Sequence, residues 1–215
     1  MIIIKPYYEI LTDIDDGIGM LKKIERAART CYKSENKINE DGSTAKALVS
    51  TLIKSGHEAM LEHSQLTVKF VCDRGVSHEL VRHRLFSFAQ ESQRYCNYGG
   101  TKFNANVTFI EPCFWADDDD HSKRLYQLWE EQCERAEHQY FLLLNNGATP
   151  QEARTILPNS TKTEIVVTGN FREWRNFFKL RVDKAAHPQM RELTVPLLQT
   201  LKDHIPIIFD DINPN

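Results

Sequence analysis

Seven residues, QLTVKFV at positions 65–71, constrain the fold more than any other stretch. Leu66, Val68 and Phe70 fall on one side and Gln65, Thr67 and Lys69 on the other, the two-residue period of a strand with one buried face. EIVVTG at 164–169 is another strand. The intervening chain is mostly helical in pattern. Thr44–Ser55 sets Leu48, Val49, Leu52 and Ile53 at helical spacing and stops at Gly56. From His121 to Asn146 the residues Leu125, Leu128, Trp129, Ala136, Tyr140, Phe141 and Leu144 form a longer stripe, closed by Gly147. Thr149-Pro150-Gln151-Glu152 carries a capping box with proline at the first helical position, opening a short helix through Arg154–Leu157 that Pro158 ends. Asn170 opens another helix with Glu173 three residues on, and Pro188 starts a last one, with a kink expected at Pro196. Strands are few and do not alternate regularly with helices, so the class is α+β rather than a doubly wound parallel sheet.

At 215 residues and 41% hydrophobic, the chain suits one globular domain, residues 1–215, with enough length to bury a core. The acidic run Asp117–Asp120 suits the approach to a helix N-terminus. The apolar runs IIIKPYYEIL and FLLLNN are too short to span a bilayer, and no positively charged leader precedes a cleavable segment, so no membrane association and a cytoplasmic location are expected. Five scattered cysteines without a CxxC pair argue against a disulfide framework or a structural zinc site and read as reduced thiols. Residues 96–106, with Gly99-Gly100, read on composition as a mobile loop.

The net charge of −3 repels nucleic acid over the whole molecule, so any anion site must be local. Two local cation clusters exist. In RHRLFSFAQESQRY, 82–95, Arg82, Arg84 and Arg94 face a single carboxylate, Glu91, and the interleaved Leu85, Phe86 and Phe88 should draw them into a partly buried setting that demands anionic partners. Between Arg172 and Arg191 stand six Lys or Arg with Phe171, Trp174 and Phe178 among them. On a helix Arg172 and Asn176 share one face, and Arg181 joins the Trp174 and Phe178 side. Lys179 and Lys184 read as an ordinary solvated face.

Familiar site chemistries fail on spacing. HEAMLEH, 57–63, has Leu61 where a zinc helix needs its second histidine, so no metal site is expected. Gly17-Ile18-Gly19 has Lys22 in place of the third glycine of a dinucleotide turn, and no GxxxxGK[ST] loop exists. Ser92 sits in no GxSxG elbow. An RNA-binding surface over 82–98, with Tyr95 and Tyr98 as stacking platforms, is an alternative that the acidic balance and the lack of an RNP-type signature disfavour.

Arg82-His83-Arg84, seven residues and then Ser92 form the RHRx7S signature, and on it the chain resembles the flavin-dependent thymidylate synthases. The resemblance extends through RAARTCY (26–32), GHEAMLEHS (56–64), SHELVRHRLFSFAQESQRY (77–95), EARTILP (152–158) and GNFREWRNFFKLR (169–181). It implies the thymidylate synthase-complementing fold, an antiparallel sheet flanked by helices, in a homotetramer whose active sites are shared between subunits. FAD would be contacted by His57, Arg82, His83, Arg84, Gln90, Asn170, Phe171 through its main chain, Arg172 and Asn176. The nucleotide dUMP would be contacted by Glu79, Leu80, Val81, Arg82, Gln90, Glu91, Ser92, Gln93, Arg94, Arg154 and Arg181. Arg181 would be the catalytic residue, set against the pyrimidine carbonyl edge to stabilise an electron-rich, N3-deprotonated ring. NADPH and 5,10-methylenetetrahydrofolate would be co-substrates, and no cysteine nucleophile is required. The chain departs from the family at Ala59, commonly Ser or Thr, and at Ala185, commonly His; His187 stands two residues beyond the latter.

Overall fold

The computed structural model describes residues 1–100, 103 and 105–214; the loop read at 96–106 therefore lies partly outside the described residues. In chain order the elements are β1 (Ile2–Ile4), β2 (Tyr7–Ile10), α1 (Gly17–Thr30), α2 (Ser43–Lys54), β3 (Gln65–Asp73), α3 (Arg74–Leu80), β4 (Ser87–Gln90), β5 (Thr108–Ile110), α4 (Asp120–Asn145), α5 (Pro150–Ala153), β6 (Lys162–Asn170), α6 (Phe171–Arg181) and α7 (Pro188–His204). Short 3-10 helices cover Glu35–Lys37, Glu58–His63 and Arg154–Ile156. The α+β expectation and its antiparallel sheet hold, with strand order β2-β3-β6-β4. A separate two-stranded ribbon, β1 and β5, is parallel, with Ile3 opposite Phe109.

The chain divides into two compact units. The first comprises Met1–Tyr7, Phe70–Arg82 and Ala89–Ile165, the second Tyr8–Lys69, His83–Phe88 and Val166–Asn215. In the first, Ala136 and Tyr140 of the stripe along α4 are buried, as is Cys133, and Trp129, Phe141 and Leu144 pack partly buried against the cluster of Tyr98, Val107, Phe109, Cys133, Tyr140 and Ala153, whereas Leu128 of the expected stripe is exposed. Gly147, at φ +92°, ends that helix, and the Thr149–Glu152 capping box forms as expected ahead of α5.

The second unit is built on α1, α2, α6 and α7. Met20, Leu21, Ile24 and Ala28 of α1 are buried at helical spacing, and the Asp16 carboxylate caps that helix by accepting the Gly19 N–H at 2.9 Å. That explains the Gly17-Ile18-Gly19 run without a nucleotide: a Cβ at Gly19 would meet the Asp16 carboxylate, and one at Gly17 the His204 carbonyl 2.1 Å away. Pro196 lies inside α7, which continues through it to His204.

The aromatic side of α6 governs its packing. Asn170 caps the helix, accepting the Glu173 N–H at 2.9 Å. Phe171, Trp174, Phe177 and Phe178 are fully buried, and the Trp174 indole donates to the Leu66 carbonyl at 3.0 Å. Phe86 packs on this surface, its ring centroid 4.6 Å from that of Trp174. The ring fits because Gly169 has no side chain: a Cβ there would stand 2.1 Å from Phe86 Cδ1. Gly169→Ala is therefore expected to destabilise the protein by about 1–3 kcal/mol in urea unfolding, the usual cost of overpacking, and Phe86→Leu in that background to recover part of it. An unchanged unfolding midpoint in Gly169→Ala would contradict this packing.

Candidate active site

In the first unit the expected nucleotide-contacting residues lie on three local frames. Glu79 and Leu80 end α3, which Asp73 caps through the Val76 N–H at 2.6 Å, and Val81 and Arg82 form the next turn of chain. Leu80 is fully buried, main chain included. Gln90 ends β4 and donates to Ser77 Oγ at 2.9 Å and Thr163 Oγ1 at 3.2 Å, which fixes its amide. Past it the chain is stapled to β6 by Glu91 N–H donating to the Glu164 carbonyl at 2.8 Å. Ser92 starts a turn, its carbonyl accepting from Tyr95 and Cys96 N–H, while its Oγ accepts from Arg94 N–H at 3.3 Å. Gln93 is buried and Arg94 is exposed over the Tyr95 ring. Arg154 is half-buried in the 3-10 turn after α5.

The expectation that the three arginines of this run are drawn into a partly buried setting around Glu91 is corrected. Arg82, Arg84 and Arg94 are all exposed. The groups taken out of water are His83 and Phe86, because the turn at 81–85 directs those side chains inward and leaves Leu85 77% exposed. Glu91 serves a different partner: Lys162 Nζ lies 3.0 Å from one oxygen and the Tyr98 hydroxyl donates to the other at 2.8 Å. Tyr98 is thereby buried, and burial beside the Glu91 charge pushes its hydroxyl pKa far up, so it is no stacking platform for RNA.

The second unit holds His57, His83, Arg84, Asn170, Phe171, Arg172, Asn176 and Arg181. A cleft of about 600 Å³ opens along the polar side of α6, lined by Asn170, Arg172, Glu173, Asn176 and Lys179 with Glu58, Glu62 and Leu85. Three expected flavin contacts, Asn170, Arg172 and Asn176, are thus brought together. Lys179, read from sequence as plain solvated surface, joins them. His57 is exposed at the start of the Glu58–His63 turn, its N–H donating to the Leu52 carbonyl. Phe171 N–H already donates to the Ser64 carbonyl at 3.0 Å, and its ring is buried. His187 precedes α7 in the N-cap position without a side-chain cap.

His83 is the buried centre of this unit. Its ring stands edge-on to Phe177 at 5.0 Å between centroids. Nε2 accepts from Arg181 Nε at 2.9 Å, and Nδ1 lies 3.5 Å from Glu173 Oε1. Glu173 is only 5% exposed, and desolvation pushes its carboxyl pKa up, opposed by the Asn176 amide. Sequence reasoning missed Glu173 as a site residue because its capping-box position gave a sufficient local role. Its carboxylate instead faces His83.

Below α6, Arg175 is 1% exposed and fully engaged. It forms a two-pronged pair with Asp211, Nη1 at 2.6 Å and Nη2 at 2.8 Å, reaches Glu58 through Nε at 3.2 Å, and donates to the Ile208 carbonyl. The same Glu58 lies 3.8 Å from Lys179, and Glu62 lies 2.7 Å from Arg172. None of the five cysteines is joined in a disulfide, and burial pushes the Cys133 thiol up to about 12.

The fold is α+β, and comparison with known proteins places it in a family of enzymes. Residues 15–207 match the thymidylate synthase complementing protein family, and the chain belongs to that family. It is 34% identical over 214 residues to the flavin-dependent thymidylate synthase of Corynebacterium aurimucosum, covering 94% of this chain and 84% of that one. The Mycobacterium avium enzyme of the same name is 33% identical over 213 residues, covering 93% and 81%. Among solved structures, the UMP/dUMP methylase PolB of Streptomyces cacaoi, bound with 5-Br dUMP, superposes with a TM-score of 0.79 at 22% identity, over 98% of this chain and 96% of that one, which establishes the shared fold.

The Arg175–Asp211 pair yields a test of the frame under the cleft. Asp211 is held below its ordinary value of 3.8, first by the hydrogen bond from Arg175 and then by its charge, against the opposing effect of burial. A depressed carboxylate contributes stability above its unfolded value and loses it as pH falls through the folded one. Asp211→Asn should be less stable than wild type at neutral pH, with the gap closing as pH falls below 3.8 in denaturant titrations. A gap that does not change with pH would contradict the pairing.

Proposed function

We propose that this protein is an FAD-dependent thymidylate synthase, a methyltransferase that converts dUMP to dTMP with 5,10-methylenetetrahydrofolate as carbon donor and NADPH as reductant. The observation that carries the reading is Arg181, a guanidinium clamped on the buried His83 of the RHRx7S run in a chain of this family. The active form is a homotetramer with sites shared between subunits, each subunit a single catalytic domain of residues 1–215, working in the cytoplasm. Among the described residues no helix is long and apolar enough to cross a membrane.

The cleft along α6 suits FAD in donor chemistry. A dinucleotide needs cations for its diphosphate and amides for its heterocycles, and Arg172, Lys179, Asn170 and Asn176 supply both in one cleft. Arg172 and Glu62 are paired in the structure, but their side chains are 53% and 44% exposed. A pair so exposed is worth at most about 1 kcal/mol, so the arginine is readily exchanged to a phosphate. Held there by Asn170, Arg172, Asn176 and Lys179, FAD would supply the redox chemistry that relays a hydride from NADPH.

Electron counting explains why a reductant is required. The methylene carbon of the folate sits at the oxidation level of formaldehyde, and a methyl group is one hydride more reduced. Forming dTMP breaks the uracil C5–H bond with loss of a proton, forms C5–C, breaks both C–N bonds that hold the methylene to the two folate nitrogens, which take up that proton and one from solvent, and adds that hydride. The chain's part is to make C5 nucleophilic. The fixed fork of Arg181 N–H groups suits the carbonyl edge of a uracil whose charge builds at N3 and O4, and Nε held by His83 removes the rotation that would blur this aim. Gln90, its amide fixed by Ser77 and Thr163, and Arg82 and Arg94, exposed at the ends of their turns, are the polar contacts for base and phosphate.

With FAD, NADPH, dUMP and the folate supplied, the purified protein is expected to form dTMP, and Arg181→Ala to lose this activity by on the order of a hundredfold or more, the loss of one preorganised donor, while keeping its flavin. Normal dTMP formation by Arg181→Ala would remove Arg181 from its role. Flavin binding without dTMP formation by the wild type would sink the synthase reading.

A further inference from the structure

Arg181 cannot fix its own direction, since a guanidinium on a long side chain near the end of α6 has several rotamers. What fixes it is His83, and His83 must itself be held in one tautomer. Arg Nε always carries its proton, so the 2.9 Å contact makes His83 Nε2 the acceptor. The neutral ring then carries its single hydrogen on Nδ1. That hydrogen points towards Glu173 Oε1, 3.5 Å from Nδ1, in a setting where His83 and Glu173 are 6% and 5% exposed. The separation is long for a hydrogen bond. Catalytic contacts of this kind are commonly long before substrate binds and tighten in the complex. In the opposite tautomer, an Nε2–H would oppose the Arg181 donor and push the guanidinium away.

Glu173 is also tied to the cleft. The Asn176 amide lies 3.3 and 3.5 Å from its two oxygens, so Asn176, Glu173, His83 and Arg181 form a connected polar series from the cofactor cleft to the activating arginine. Glu173 lines the cleft but is not among the residues that the family resemblance assigns to dUMP or FAD. The Asn170 cap needs only its backbone N–H, which any residue supplies, so the helix start does not require a carboxylate here.

We propose that Glu173 is a positioning residue: as the acceptor for His83 Nδ1–H it locks the histidine tautomer that holds Arg181 by Nε for activation of the pyrimidine. The inference rests on the synthase reading of Arg181, but its first readout does not. A carboxyl group accepts through its carbonyl oxygen in either protonation state, and an amide does the same, so acceptor capacity and not charge is what the role requires.

That sets up a pair of variants of nearly equal size. Glu173→Gln keeps an acceptor and Glu173→Met keeps only the volume. Both remove a desolvated carboxyl from a buried position; Glu173→Met also leaves the His83 Nδ1–H unpaired, at a cost of about 1–3 kcal/mol, so turnover is compared at a temperature where both variants are folded. In 15N NMR spectra of the holoenzyme, His83 is expected to show the Nδ1–H tautomer in wild type and Glu173→Gln and to lose it in Glu173→Met. In steady-state assays Glu173→Met should lose about tenfold or more in kcat, the rate equivalent of one lost positioning hydrogen bond, and Glu173→Gln should stay within about threefold of wild type. Equal turnover in the two variants, both high or both low, or a His83 tautomer unchanged in Glu173→Met, would overturn the proposal. A wild type that makes no dTMP would fail the synthase reading instead, leaving the tautomer measurement to decide the role of Glu173.

Discussion

A guanidinium cannot be taken out of water without partners, and the candidate cofactor cleft rests on how Arg175 meets that condition. At 1% exposure it is met by the Asp211 carboxylate, Glu58 and the Ile208 carbonyl, so two segments distant in sequence are held to one helix. Removing one partner of such a set leaves a buried charge exposed to several kcal/mol of penalty. The consequence is positional. Arg175 fixes the Glu58–His63 turn against α6, so Glu58 and Glu62 stand opposite Lys179 and Arg172 and the cleft has walls.

The opposite requirement shapes the aromatic side of the same helix. Phe171, Trp174, Phe177 and Phe178 are buried, and the space they leave beside Gly169 takes Phe86, which brings His83 into the apolar layer. An imidazole in such a place needs both nitrogens satisfied, and Arg181 and Glu173 lie at them. One eleven-residue helix thus presents a cleft of exchangeable charges and a fixed histidine–arginine pair. The family's signature run and its late helix block meet here, a long-range pairing that neither stretch shows alone.

The regular parts of the chain were legible because their signals are local. The stripe in α4, the Thr149–Glu152 box, the Asn170 cap and the alternation in β3 each depend on residues within one or two turns. The short elements were not: α3 comes directly after β3 with glycine in its first turn, and β4 has only four residues, too few for a period to emerge. At the site, RHRx7S located the run, but not which side chains enter the core. In the turn at 81–85 no period relates sequence to burial, so the arginines were assigned an interior that His83 and Phe86 occupy. Glu91 was assigned to those arginines, but its cation, Lys162, is 71 residues away in sequence and reaches it only through the pairing of chain 90–91 with β6. Glu173 looked fully explained by its helix-start position, and its second role shows only once His83 is in place.

The most direct measurement of the central claim is anaerobic bleaching of the flavin absorbance of the purified holoprotein by NADPH, with and without dUMP. FAD bands are expected to bleach, and to bleach faster when dUMP is bound. A protein that takes up no flavin when FAD is added, or flavin that NADPH leaves oxidised under both conditions, would contradict it.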